Sequence, residues 1–313
     1  MKGSSIVRAL SQPGILAPVP PVGRYLSFAL RLPAARRPAL ARLLAGLSPW
    51  VRTGTLVLGL GQDVLAACAV KGQPPVPMMR TFPALAGPAA QVPSTPVSLW
   101  CWLRGDDAGD LIREGRAIAA LLEPAFVLRD AVDAFRHGRG PQGFALDLSG
   151  YEDGIENPVR AAARQAALMQ GQGPGLDGSS CASVQQWLHD FPALQAMAPA
   201  ARDAMVGRRQ ADSEEIDDAP ESAHVKRTAQ ESFSPPAFVL RRSMPWSAGL
   251  EAGLVFVAFG ASPDAFEALM RRMLGLEDGI TDALFRMSRP LTGCHVWCPP
   301  MADGDLDLRR LQA

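Results

Sequence analysis

The sequence lacks most of the short signatures that announce a function. None of its five cysteines, Cys68, Cys101, Cys181, Cys294 and Cys298, belongs to a Cys-x-x-Cys pair. That argues against a zinc ribbon and a disulfide framework, and it suits a reducing compartment. No Gly-Lys-Ser or Gly-Lys-Thr occurs, and Gly59-Leu60-Gly61 lacks a third glycine, so no phosphate-binding loop is legible. The four histidines form no His-x-x-x-His or Cys/His cluster, which leaves no multidentate zinc site to read. Lys plus Arg and Asp plus Glu both number 31, with a pI near 6.9, and no net field favours nucleic acid or an anionic membrane. No apolar stretch reaches transmembrane length without Gly, Pro or charge. Met1–Arg8 is followed by a proline-broken segment, Gln12 to Pro21, where a secretory peptide needs a continuous apolar run. The expected setting is the cytoplasm, and the expected partner is small or neutral, with no nucleic acid and no membrane.

What is present describes a globular protein. At 313 residues, 48% hydrophobic and 20% charged, the chain can bury a large core, and two domains are the prior. The proline-rich stretch Pro13 to Pro38 reads as a surface wrap before a helix around Ala39 to Leu47. Short apolar runs at Thr55 to Leu60, Val97 to Leu103 and Phe126 to Leu128 read as strands, with a helical stripe over Ala108 to Leu122 between the last two. The order recurs in the second half, with strands at Phe238 to Leu240, Gly253 to Phe259 and Gly293 to Cys298. A helix there is capped at Ser262-Pro263 and stopped by Gly275, placing Phe266, Leu269, Met270, Met273 and Leu274 on one face. Between the halves, Met169 to Ser180 reads as a mobile loop. Ala200 begins a helix that runs into the acidic tract Asp212 to Asp218, by default a solvated face. Two such halves indicate α+β with antiparallel sheets and peripheral helices.

Gly150-Tyr151-Glu152-Asp153-Gly154-Ile155-Glu156-Asn157-Pro158 concentrates turn-forcing residues around acids. Gly150 and Gly154 accept positive φ, Asn157 tolerates it, and Pro158 pushes Asn157 away from helix. Taken alone, the segment is also compatible with a bland connection. Among the histidines, His137 in its Gly- and Arg-rich loop and His295 in the last strand read as structural. His224, just after the acidic tract, precedes a strand ending in Arg241-Arg242, whose side chains point to opposite faces. A buried arginine there must find an anion or another acceptor. A haem iron, unlike zinc, needs only one protein ligand.

The order Gly-x-x-Asp-Gly-x-x-Asn-Pro, Val206-Gly207-Arg208, the acidic tract, His224 and Arg241 resembles the dye-decolourising (DyP-type) haem peroxidases, particularly their bacterial intracellular branch. Gln185-Gln186-Trp187-Leu188-His189-Asp190, Gly253-Leu254-Val255-Phe256, and Thr281 to Arg286 running on to Leu291-Thr292-Gly293 agree as well. The match is strong over roughly residues 145 to 300. It implies two ferredoxin-like units in a dimeric α+β barrel-like fold, residues 1–145 and a haem-binding 146–313, with one haem b per chain. His224 is then the proximal iron ligand, and Asp153 and Arg241 are the catalytic pair at the peroxide site. Arg208 would meet a haem propionate, Asp282 would accept the other ring N–H of His224, Ser243 would order a distal water, and Gly154 belongs to the loop.

The implied activity is reduction of hydrogen peroxide through an oxoferryl intermediate, with oxidation of small dye-like or phenolic one-electron donors, best at acidic pH, in a homo-oligomer (dimer or larger). Trp246 is a candidate electron relay, with core packing as its simpler role. Two features depart from the family pattern: Ala223 precedes the ligand where serine is common, and the last strand reads Cys294-His295-Val296-Trp297-Cys298. Leu306 to Ala313 shows no docking tail for an encapsulating shell. The alternatives are a haem-carrying or haem-sensing protein, and a haem-free enzyme whose aspartate loop binds a cation.

Overall fold

Eight antiparallel strands close on themselves in the computed structural model, which describes residues 11–31, 37–69 and 75–312. The charged start Met1–Arg8 and residues 32–36 of the proline-rich stretch lie outside the described residues. The first half supplies β1 (Val22–Leu30), β2 (Leu56–Leu60), β3 (Leu99–Gly105) and β4 (Phe126–Phe135), and the second supplies β5 (Ser180–His189), β6 (Met244–Ala248), β7 (Glu251–Gly260) and β8 (Cys294–Cys298). The spatial orders are β4-β1-β3-β2 and β6-β7-β5-β8, in each case the order of a ferredoxin-like unit. Two seams join the sheets, Trp246 opposite Ala134 and Trp297 opposite Leu60.

Alternation along the strands divides the core into layers. Val255, Val257 and Phe259 of β7 point into the barrel, where they pack with Trp100 and Trp102 of β3. Tyr25 of β1 stacks between those two indoles, 5.9 Å from each ring centre. Leu254, Phe256 and Ala258 of β7 point outward. The outer face of the first sheet is covered by α1 (Ala108–Leu122), through Leu111, Ile118 and Leu122. Asp107 caps that helix by accepting the Asp110 N–H at 2.9 Å. Four further helices matter to the site: α2 (Arg160–Ala167), α3 (Pro199–Val206), α4 (His224–Arg227) and α5 (Asp264–Met273). α5 buries Phe266, Leu269, Met270 and Met273 over the second sheet and ends at Gly275, whose φ of +71° suits a residue without Cβ.

Two expectations fail. The segment expected to wrap over the surface contains β1, hydrogen-bonded to β3 and β4 on its two edges. Its prolines flank the strand and none lies within it, so Val22–Leu30 retains every N–H that the ladder needs. Met169–Ser180 is not a free loop either, because Met169 and Leu176 are buried in the first half's core. Met301, Leu306, Leu308 and Leu311 join that same cluster, so the C-terminal segment packs beside the first half.

Trp297, wholly buried beside a one-residue seam, is a sensitive point. Trp297→Ala is expected to cost about 3–5 kcal/mol, measured as a fall in the denaturant midpoint at unchanged slope.

Candidate active site

The outer face of the second sheet forms one wall of a largely apolar cleft, the kind of concave, apolar site in which small ligands are held. β5 turns Gln185, Trp187 and His189 toward it, β7 adds Leu254 and Phe256, and α5 closes it with Phe266, Met270 and Met273. These are alternate positions on the strands and one stripe on the helix, so the sequence that builds the core also builds an apolar slot. Polar groups enter it at few points.

His224, first residue of α4, is one of them. Its Nδ1 lies 2.8 Å from Asp282 Oδ2, and Asp282 is almost wholly buried. The other Asp282 oxygen accepts the Leu284 N–H at 2.8 Å, and Ala283 N–H donates to Ser222 O at 2.8 Å. The carboxylate therefore holds the proton on Nδ1 and leaves Nε2 as a lone-pair donor, the state in which histidine ligates a metal.

Asp153 and Arg241 also line the cleft, with Arg241 Nη2 4.0 Å from Asp153 Oδ1. The loop that carries Asp153 is held by its turn residues and by one clamp. Gly150 and Gly154 have φ of +89° and +94°, conformations that L side chains rarely adopt. The Asn157 amide pairs with both backbone groups of Arg241, accepting its N–H at 2.8 Å and donating to its carbonyl at 3.2 Å. Asn157 reads in sequence only as a turn former, and no local signal reveals that it binds a strand 84 residues away. Burial holds the Asp153 carboxyl above the ordinary aspartate range. Arg241 pulls it down, the Asp147 charge pushes it up, and His224 and the Gly154 N–H pull it down. Arg241 Nε is buried without a partner, as is Gln185 Nε2.

The neighbouring acids are occupied. Glu152 accepts the Phe144 N–H at 2.9 Å, and Glu156 receives Arg208 Nη2 at 2.5 Å. Arg208 also bonds Glu215 at 3.0 Å and the Ser213 carbonyl at 3.0 Å, and it does not line the cleft. Ser243 is likewise not on this wall. It lines a second cleft beyond Asp153 and Arg241, and its buried hydroxyl lacks a partner. Trp246 is buried, with its indole N–H donating to Trp187 O at 2.9 Å. His295 is buried between Ser183 and Glu267, and His137 is exposed.

One polar group in the cleft went unread in the sequence. His189 Nε2 lies 2.9 Å from Asp147, and its Nδ1 lies 2.8 Å from Ser288 Oγ, all three lining the wall. Burial pushes the Asp147 carboxyl up, but the His189 contact and Ser149 outweigh it and leave it below the ordinary range. In a hydrolytic triad the carboxylate meets Nδ1 and the serine meets Nε2. Here the ring is reversed, so the set orders the wall and does not form a nucleophile.

Two ferredoxin-like units joined into a barrel, with an apolar cleft on the outer face of the second, define a dimeric α+β barrel-type protein. The sequence model for "Dyp-type peroxidase, C-terminal" matches residues 145–303, about half of the chain. The chain thus belongs to the DyP-type peroxidase family and is an enzyme of that type. It is 28% identical over 249 residues to the dye-decolorizing peroxidase of Mycolicibacterium paratuberculosis, covering 78% of this chain and 68% of that one. The dye-decolorizing peroxidase of Mycobacterium tuberculosis is 25% identical over 306 residues, with coverages of 94% and 89%. DyPB from Rhodococcus jostii RHA1 superposes with a TM-score of 0.82 at 25% identity, covering 94% of this chain and 97% of that structure. A variant of that protein was solved in complex with heme, with a TM-score of 0.80 at 25% identity and coverages of 92% and 96%.

Proposed function

We propose that the cleft holds one haem b, with His224 as the protein ligand of its iron, and that the enzyme reduces hydrogen peroxide at the expense of small dye-like or phenolic donors. The observation that carries this reading is His224, its Nδ1 bound to buried Asp282 and its Nε2 free, in an apolar cleft that also holds Asp153 and Arg241. The residues present suit a flat, largely apolar macrocycle. Trp187, Leu254, Phe256 and Met270 supply apolar walls, and the orphaned Arg241 Nε and Gln185 Nε2 offer donors to a bound group. Arg208, two residues from the wall residue Val206, is the propionate partner if a propionate joins or displaces Glu156 and Glu215. The bacterial intracellular branch, the cytoplasm and a dimeric or larger assembly complete the reading.

The haem, when bound, supplies redox-active iron and a ring that hold the two oxidising equivalents of peroxide. The chain's own residues manage protons and charge. Asp153 takes the proton from one oxygen of hydrogen peroxide and returns it to the other, which leaves as water. Arg241 faces the negative charge that develops as the O–O bond breaks, and Ser243 is placed to order a water beside them. Two donors then each lose one electron and one proton, so that one peroxide becomes two waters. Asp282 keeps the His224 ring oriented and electron-rich throughout.

The test is a visible spectrum of the purified protein after haem addition, followed by peroxide and a phenolic dye. A Soret band and peroxide-dependent dye oxidation are expected. A protein that stays colourless after reconstitution would overturn the reading.

A further inference from the structure

Helix α5 closes the cleft, and it is tied at its first turn by groups that the proposed reaction does not use. Glu267 Oε1 accepts from Arg80 Nε at 2.8 Å and meets His295 Nε2 at 3.1 Å. Arg80 comes from the first half of the chain, and its Nη2 also reaches Asp264 in the same turn at 2.6 Å. His295 stands on β8 with a fully buried ring, and its Nδ1 lies 2.9 Å from Ser183 Oγ on β5. Burial pushes the His295 ring below its ordinary 6.5, so near neutral pH it donates from Nε2 to the carboxylate and accepts from Ser183 at Nδ1. Burial pushes the Glu267 carboxyl up, but the His295 and Arg80 contacts outweigh it and leave it below the ordinary range. One carboxylate oxygen thus ties the helix to the first half and to the second sheet.

Packing repeats that tie. Phe266, beside Glu267 in the chain and part of the cleft wall, has the His295 ring edge-on at 6.0 Å and Phe256 of β7 at 5.9 Å. Phe82 touches both, 5.9 Å from Phe266 and 5.1 Å from His295. The segment that carries Arg80 and Phe82 continues to Gly87, where a Cβ would lie 2.0 Å from Leu274 O, just past the helix. The first half therefore meets α5 at its first turn and again at its end. Yet every residue lining the cleft belongs to the second half.

The far end of α5 holds the His224 assembly. Met273 O, in the last turn, accepts the Asp282 N–H at 2.7 Å, and Asp282 is the carboxylate that fixes the His224 ring. Arg272 O accepts from Arg227 Nη2 at 2.7 Å, and Arg227 ends α4, the helix that His224 begins. Arg227 is buried and also grips Asp278 through two bonds of 2.7 and 2.8 Å. Both acceptor carbonyls sit on one turn, so a shift of the helix displaces the supporting carboxylate and the ligand helix together. A close-packed interior transmits such a shift and does not absorb it.

We infer that Glu267 is a positioning residue for His224: held by Arg80 and His295, it anchors α5, and α5 sets the Asp282 carboxylate and helix α4 that aim the ring into the cleft. The inference rests on the haem reading for its consequence but not for the coupling itself. The first half of the chain thereby takes part in a site whose walls it does not supply.

The test separates the two readings. The chain has only four histidines, so nitrogen-15 labelling of histidine reports the His224 ring directly in protein without haem, at mildly alkaline pH where imidazoles are neutral. The full-length wild type is expected to show His224 as a single tautomer protonated at Nδ1. Glu267→Leu should mix the tautomers and speed amide exchange in α5 while β5 and β7 keep their protection. Glu267→Gln, which retains an acceptor for both donors, should restore most of the wild-type behaviour. Asp264→Asn, at a side chain 72% exposed, should change neither readout. Arg80→Gln, at a side chain 42% exposed, should act in the same direction as Glu267→Leu and serves if that variant does not fold. After haem addition, release to excess apomyoglobin should be roughly threefold to thirtyfold faster in either variant than in wild type. A His224 tautomer and a haem release rate that both stay at wild-type values in the folded variants would overturn the inference. If the tautomer responds but the wild type takes up no haem, the coupling stands and the haem reading fails.

Discussion

His224→Ala is expected to remove haem binding altogether, leaving a folded protein without a Soret band after reconstitution. The cleft offers one imidazole with a free nitrogen, and the other histidine on its wall is committed at both nitrogens, to Asp147 and Ser288. Nothing near His224 replaces it, since Ala223 is fully buried and Thr228 spends its hydroxyl on the His224 carbonyl at 2.7 Å. The fold should survive, because the His224 side chain is 26% exposed and its removal opens no core cavity. Asp282→Asn is a graded form of the same test. It keeps the shape and a hydrogen-bond acceptor but removes the charge, and losses at such supporting positions are about 10–100-fold in affinity or activity. The expected readout is a shifted ferric spectrum with weaker haem retention. Full retention of haem by His224→Ala would eliminate His224 as the ligand.

Arg241→Leu and Asp153→Asn are expected to keep the haem and lose the reaction with peroxide, by about 10²–10³-fold for the guanidinium and 10²–10⁴-fold for the carboxyl in kcat/KM. Haem content measured by absorption separates this outcome from a loss of cofactor. The pH dependence has a definite sign. In the proposed mechanism Asp153 is the carboxylate that receives a proton, so activity is expected to rise as pH rises through its pKa. That pKa lies above the ordinary 3.8 because burial outweighs the pull of Arg241. The acid limb of kcat/KM for peroxide should therefore fall at a pH above 3.8 and vanish in Asp153→Asn. A limb that persists unchanged in that variant assigns the proton transfer to another group.

Much of the local structure is legible residue by residue. The stripe on α5, its glycine stop, the run of β2, and α1 with its buried Leu111 and Ile118 follow from periodicity and caps that act within a few residues. β1 escaped because prolines on both sides give the stretch a composition that hides nine consecutive proline-free residues. Barrel closure has no local cue at all, since each seam rests on a single tryptophan facing the other half.

For the site, the chain by itself determined the aspartate loop, the histidine after the acidic tract and the strand arginine, because turn chemistry and motif order are properties of short segments. Only the tertiary structure decided their relations. Asp282 meets His224 across 58 residues, and Asn157 joins the loop to Arg241 across 84. It also decided that Glu152 and Glu156 are spent on neighbours outside the cleft while Asp153 faces Arg241 across 4.0 Å, and that six arginines share one cleft. Each of these is a meeting of side chains from separate elements. The positions of the elements are set by closing a hydrophobic barrel, a property of the whole chain that no short stretch encodes.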